Sequence, residues 1–373
     1  MAHAELPPSG SAAWVKCSLW PEMNKLYPSV DTEKSEEGTA AHWLLTVGRT
    51  RESLSPYLNT EAPNGVPITD AMIDGAVLFW ETALRLGSAD TNYVVEQRLP
   101  PSDYFGLLVW GTPDLFFWTD GVNLYVVDYK FGHGFVDAVE CWQLIVYVCL
   151  LLDWYQVNGT QEQHLNVHMT IVQPRNYHRD GPVRTWTVKA SDLRAQRNLI
   201  AAAAGDYETG VRRARTGDHC EYCPGASRCP TLQQVGYRAV DVSEYATPFQ
   251  LPAGAAGFEL RTLTAARDRL NARINGLRDE VLAQCERGVF DAGFVIERGE
   301  GRETWTVPHS NIVNLEKMFN VKLFNDPKPL TPRQARDLGI HKDFIQPMTR
   351  RGQGEPTLVP FSQSRAAKIF GGK

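Results

Sequence analysis

The 373-residue chain lacks several features that would place it in a familiar class at once. It has no apolar run of membrane-spanning length. The longest, around Leu144–Leu152, is about half of what a bilayer requires. It does not open with the basic-then-apolar pattern of a secretion signal, so a cytoplasmic location and no membrane partner are expected. It contains no Gly-x-x-x-x-Gly-Lys-Ser/Thr segment, which excludes a P-loop motor within this chain. It has no excess of basic charge: the formal net charge is -5, not that of an obvious nucleic-acid binder. No convincing internal repeat or long low-complexity linker interrupts it. Cysteine is scarce, at seven residues. Disulfides are not expected in a reducing cytosol, so cysteines that cluster point to metal.

What is present suits a large folded protein. Hydrophobic residues make up 43%, with ten Trp and thirteen Tyr, enough for a sizeable core. Charge is unevenly divided. From Gly254 onward there are nineteen basic and fourteen acidic residues, a balance of +5, and the remainder carries -10. An acidic body suits cations, and a basic tail suits a phosphate backbone or a docking partner. The plainer alternative is a mixed, solvated surface.

Periodicity predicts helices over Ser35–Val47, Asp70–Leu86 and Val136–Tyr155, and another from Asp192 to about Arg215. Period-two stretches predict strands at Tyr93–Leu99, Phe105–Trp110, Thr112–Thr119, Leu124–Lys130, Leu165–Val172 and Val183–Val188. Asp120-Gly121 reads as the turn of a hairpin. The texture changes near residue 245, around Thr247-Pro248 through Gly257. Two regions are therefore expected, 1–245 and 246–373. In the second, Phe258–Arg287 reads as an amphipathic helix and Phe294–Val307 as a hairpin around Gly299–Gly301. Thr331-Pro332-Arg333-Gln334 reads as a capped helix start.

The chemistry concentrates in Gly111-Thr112-Pro113-Asp114 followed by Val126-Val127-Asp128-Tyr129-Lys130. Strand alternation puts Asp128 and Lys130 on one face, and the hairpin brings Asp114 alongside. Adjacent buried carboxylates repel unless a cation lies between them, and hard oxygen ligands favour Mg2+ or Mn2+. A nearby Lys then serves as a base or as a stabiliser of charge building on phosphorus. Asp-x-Lys alone is also an ordinary ion pair at a sheet edge. Here, however, it ends an otherwise apolar strand, where charge needs a reason.

The pattern resembles the PD-(D/E)XK nucleases, especially their RecB-like branch, over roughly residues 10–235. Three elements besides Asp114 carry the resemblance: Asp128-Tyr-Lys130, the Gln143-Leu-Ile-Val-Tyr147 signature on the next helix, and His42 after Gly38 on an early helix. The resemblance implies an α/β fold: a restriction-endonuclease-like core with a central mixed β-sheet flanked by helices, with a smaller α+β C-terminal region added here. It implies a metal site of His42, Asp114, Asp128 and the Tyr129 backbone carbonyl. Lys130 would be the catalytic base or stabiliser, and Gln143 and Tyr147 would line the site and contact the DNA strand. Glu96, on the strand before the core, and Glu37, on the early helix, are candidates to complete a second metal shell.

Cys220-Glu-Tyr-Cys223 and Cys229 form a compact trio, and Cys17 stands about two hundred residues earlier. Together they make a possible four-cysteine site tying the chain start to the end of the core. Cys141, Cys149 and Cys285 lie in apolar or helical patterns and read as core fillers. RecB-like nucleases of the AddB type and the CRISPR-adaptation type share this one-plus-three arrangement. The resemblance implies a [4Fe–4S] cluster, with Zn2+ held by the trio and His219 as the alternative. The expectation is thus a metal-dependent deoxyribonuclease acting on DNA ends or single strands in recombination, repair or phage DNA metabolism, in the host cytoplasm if phage-encoded. A separate helicase, recombinase or single-strand-binding protein would be its partner. The competing readings are a catalytically silent DNA-binding or assembly protein on the same fold, and another metal hydrolase or cluster-bearing redox protein.

Overall fold

The computed structural model describes residues 4–28, 32–176, 178–243, 255–289, 293–325, 328–360 and 364. The expected junction lies largely outside them, at residues 245–254. The chain divides into two compact units, Met1–Gly276 and Leu277–Lys373.

The first unit is a mixed five-stranded sheet flanked by helices, consistent with a restriction-endonuclease-like core. Helices α1 (Glu33–Val47) and α2 (Asp70–Leu86) precede strands β1 (Val94–Val95), β2 (Leu115–Thr119) and β3 (Asn123–Tyr129). Helix α3 (Trp142–Trp154) leads to β4 (Asn166–Val172) and β5 (Val183–Lys189). Then come α4 (Arg194–Glu208), α5 (Pro230–Ser243) and α6 (Ala255–Glu286), whose residues from Leu277 on belong to the second unit. The strands lie in chain order, with only the β3–β4 pair parallel. Strand alternation divides the core. Leu115, Phe117, Val127 and Tyr129 pack with α1 and α2, whereas Phe116, Leu124 and Val126 pack with α3 and α4.

Local chemistry explains where the elements start and stop. The Thr69 side chain accepts from the Met72 N–H and Gly87 follows Leu86, so α2 has the expected bounds. Asp120 and Gly121 both adopt positive φ, +56° and +69°, as a tight hairpin turn requires. Helix α3 starts at Trp142, later than expected, because Glu140 takes φ +54° and interrupts any helix from Val136. Helix α4 stops before Gly210, which sits at φ +80°, and so does not reach Arg215. The expected strand Tyr93–Leu99 shrinks to two residues because Glu96 turns to φ +47°. Phe105–Trp110 is not a strand. Gly106 turns at φ +76°, and the Leu108 carbonyl accepts from the Leu6 N–H of the N-terminal segment.

The second unit has its own small core of Ile312, Leu315, Leu323, Ala335, Ile340 and Ile345. It contains β6 (Phe294–Trp305), α7 (His309–Phe319), α8 (Pro332–Asp337) and β7 (Thr349–Pro360). The Thr331 cap on α8 forms as expected, with Gln334 N–H donating to Oγ1 at 3.3 Å. The expected hairpin at Phe294–Val307 does not form. β6 continues through Gly299 and Gly301 and pairs antiparallel with β7, with register shifts at those positions. A Cβ on Gly301 would come within 2.8 Å of the Gly352 carbonyl oxygen, so its glycine serves close strand approach at a bulge, not a turn. Among the described residues, no helix is long and apolar enough to cross a membrane.

Candidate metal centre

Two strand ends build the site. The β2–β3 register pairs Leu115 with Val127, so Asp114, one residue before β2, falls opposite Asp128. Both carboxylates are buried, at 8% and 2% exposure, a costly arrangement without compensation. Asp114 Oδ2 accepts from the Tyr129 backbone N–H at 2.6 Å, and Oδ1 faces His42 Nδ1 on α1 at 3.2 Å. Asp128 Oδ1 accepts from Lys130 Nζ at 3.2 Å and from Gln143 Nε2 at 2.9 Å. Asp128 Oδ2 lies 3.0 Å from the same ammonium but takes no hydrogen bond.

Helix α3 supplies the opposite wall. Gln143 and Tyr147 are four residues apart and share a helix face. The Gln143 amide bridges the pair beneath it, since its Oε1 accepts from Lys130 Nζ at 2.9 Å while Nε2 donates to Asp128. Nε2 also approaches the Tyr147 hydroxyl at 3.5 Å, and that hydroxyl donates to the Thr112 carbonyl at 3.0 Å. The side chain of Tyr129 faces the other way. Its ring meets His42 edge-on at 5.3 Å, and its hydroxyl is buried without a partner.

Glu96 enters from the edge strand. Its left-handed backbone is uncommon for a non-glycine residue and is held by its N–H donating to the Asp114 carbonyl at 3.0 Å. His42, Glu96 and Asp114 thereby place one ligand atom each within 4.8 Å of one another, a group able to hold a metal ion. Glu37 does not join them, because its carboxylate pairs with Arg175 at 2.7 Å.

The charges confirm how tightly these groups are linked. Burial alone would depress His42, but Asp114, with Glu96 and Asp128, raises the imidazole to about 10. Burial lifts the Asp128 carboxyl, opposed by the Lys130 ammonium and helped by the Asp114 charge, to about 6. Burial would also raise Asp114, yet His42 and Lys130 hold it below the usual carboxylate range. Burial would lower Lys130, but Asp128 and Asp114 hold it above its ordinary value, so it stays an ammonium.

Sequence reasoning passed over Gln173 and Arg175, just past β4. Gln173 is fully buried and donates to the carbonyls of Gly132 and Gly134, fixing the loop that follows Lys130. The available signal was a Gln-Pro-Arg stop closing an apolar strand parallel to the one ending in Asp128.

The cysteines gather elsewhere in the same unit. The N-terminal segment docks on the loop before Cys220: Lys16 pairs with Asp218 at 2.8 Å, and Cys17 Sγ lies 3.8 Å from the Arg213 carbonyl oxygen. Burial raises the Cys223 thiol to about 12, and the nearby charges of Cys220, Cys17 and Cys229 add to the shift. Cys220, Cys223 and Cys229 pack with Ala226, Leu232 and Ala272 of α6. Burial would depress His219, but the Cys17 and Cys220 sulfurs raise it to about 10. Among the described residues, no three of the four sulfurs lie within 4.8 Å of one another. Cys149 is buried in the main core and Cys285 is buried beside Phe294, apart from this group. Cys141 borders the main core near Lys130.

Residues 3–366 match the family described as "Protein of unknown function (DUF2800)". Among solved structures, the chain is similar to a candidate exonuclease from Eubacterium rectale, at 11% identity, over 68% of this chain and 92% of that one, with a TM-score of 0.36. It is also similar to SSO0001, at 15% identity, over 57% of this chain and 94% of that one, with a TM-score of 0.29.

Proposed function

The chain belongs to the DUF2800 family, and we propose that it is a metal-dependent deoxyribonuclease of the PD-(D/E)XK type, acting on DNA ends or single strands. The observation that carries this reading is the Lys130 ammonium, held between Asp128 and Gln143 beside the His42–Glu96–Asp114 group. An ordinary Asp–Lys pair would not need an amide clamp, a raised imidazole and three convergent ligand atoms. The donor set fits Mg2+ or Mn2+: one imidazole nitrogen, two carboxylate oxygens, and the unbonded Asp128 Oδ2 close by. The Tyr129 backbone carbonyl completes the proposed ligands. When bound, such a cation supplies Lewis-acid neutralisation of charge on the scissile phosphate.

The chain's own groups do the rest. His42 would have to be neutral to serve as a ligand. Lys130, kept cationic by its two carboxylate neighbours, stabilises negative charge developing on phosphorus; this favours stabiliser over base. Gln143 fixes the direction of that ammonium, and Tyr147 buttresses Gln143. Cys17, Cys220, Cys223 and Cys229 would hold a [4Fe–4S] cluster with a structural role. Zn2+ held by the trio and His219 is the alternative.

Incubating end-labelled DNA with Mg2+ or Mn2+, with and without chelator, tests the reading. Cleavage that chelator abolishes is expected. Metal binding without cleavage of any DNA form would overturn it in favour of a catalytically silent DNA-binding protein.

A further inference from the structure

Lys130 is followed by Phe131-Gly-His-Gly-Phe135, a loop at the same strand end as the metal centre. Phe135 is 47% exposed. A single exposed aromatic is ordinary, but this one is rigidly mounted. Gln173 Nε2 donates to the Gly132 and Gly134 carbonyls at 3.1 and 2.5 Å, and its Oε1 accepts from the Val136 N–H at 3.3 Å. Arg184, itself buried, donates to Gln173 Oε1 at 2.6 Å and to the Val136 carbonyl at 2.9 Å. Asn176 donates to the His133 carbonyl at 2.9 Å. Burying a Gln and an Arg is costly, and here both are committed to holding one loop.

Phe135 of that loop stacks on His178, which comes from the segment between β4 and β5. The Phe135 and His178 rings lie 4.4 Å apart at 29°, with the Arg184 guanidinium 4.9 Å from the Phe135 centroid. Next to it, Arg179 is 88% exposed and lies 3.7 Å from the Asp180 carboxylate, which also pairs with His178 Nδ1 at 3.2 Å. A preordered aromatic surface with an exposed Arg179 guanidinium beside it, at a phosphodiester site, matches an unpaired base, because only an unstacked base offers its face to a side chain. Resting on the nuclease reading above, we propose that Phe135 and His178 form a platform on which a base flanking the scissile phosphate stacks, so that the substrate is single-stranded or frayed DNA.

The test uses the full chain. Binding of a fluorescein-labelled 20-mer, single-stranded or duplex, is measured with Ca2+, and cleavage with Mn2+. Single-strand binding should exceed duplex binding. Phe135→Ala should weaken single-strand binding and raise KM by about tenfold with little change in kcat. Phe135→Tyr should restore both. Phe135→Leu, which keeps apolar bulk without a π face, should behave like the alanine variant. A scan of abasic positions should find one that weakens wild-type binding similarly but leaves Phe135→Ala unaffected. Wild-type affinity in Phe135→Ala, full rescue by leucine, or a duplex preference would overturn the platform. Absence of cleavage by the wild type, with the binding pattern intact, would instead overturn the nuclease reading alone.

Discussion

At the scale of single residues, the site is an electrostatic balance that a cation should take over. Removing Asp114, Asp128 or Lys130 as alanine should lower cleavage by ~100-fold or more, because each removes a ligand or the charge facing the phosphate. Single-turnover rates of variants with unchanged circular dichroism check this. The His42 imidazole carries a pH signature. Its value rises from 6.5 to about 10 on folding without metal, so its stabilisation is complete below 6.5 and is lost as pH climbs through 10. The Tm of metal-free protein should therefore fall between pH 7 and 10 more than that of His42→Asn. Mn2+ affinity should move the opposite way, tightening with pH, because binding must expel that proton. A Kd independent of pH between 7 and 9, measured by calorimetry, would remove His42 from the ligands.

At the scale of elements, legibility followed local chemistry. Asp114, Asp128 and Lys130 were readable because strand alternation and a two-residue turn leave little freedom once β3 is recognised. Helix α2 was readable from its Thr69 cap and Gly87 stop. Some bounds failed on local turns at Glu140, Gly210 and Glu96, and others on contacts distant in sequence. Nothing local to Phe105–Trp110 announces that Leu6 will take the Leu108 carbonyl, or that Gly301 will meet Gly352 across a bulge. The aim of Glu96 comes from a left-handed backbone, and the partner of Glu37, Arg175, lies 138 residues away, so neither placement is visible locally. The cysteine arrangement gives a prediction at this scale. If the four cysteines hold the proposed [4Fe–4S] cluster, Cys17→Ser should bleach anaerobically purified protein and lower its Tm strongly, since it releases the N-terminal segment from the Cys220–Cys229 loop. Cys149→Ser should leave the colour intact. A colourless wild type with one tightly bound zinc would replace the iron assignment.

At the scale of the whole molecule, charge and packing identify where the tail should be cut. The helix α6 stretch up to Glu286 is balanced, with five basic and five acidic residues from Gly254, so the +5 excess lies entirely in residues 287–373. Truncating at Gly254 would confuse two effects. Ala272 packs in the cysteine group, Arg273 donates to the Ala226 carbonyl at 2.9 Å, and a Cβ on Gly276 would come within 2.8 Å of the Ser227 backbone nitrogen. Losing α6 would therefore expose the cysteine loop, and weaker DNA binding would say nothing about the basic tail. A chain ending at Glu286 keeps that packing and removes the excess charge. If the second unit holds phosphates, this truncation should retain cleavage of short oligonucleotides and the colour of the proposed cluster. Its plot of log affinity against log salt should be shallower by about 0.7 for each single-strand phosphate that the second unit neutralises in the full chain. An unchanged slope in a folded truncation would assign the second unit to a role other than DNA binding.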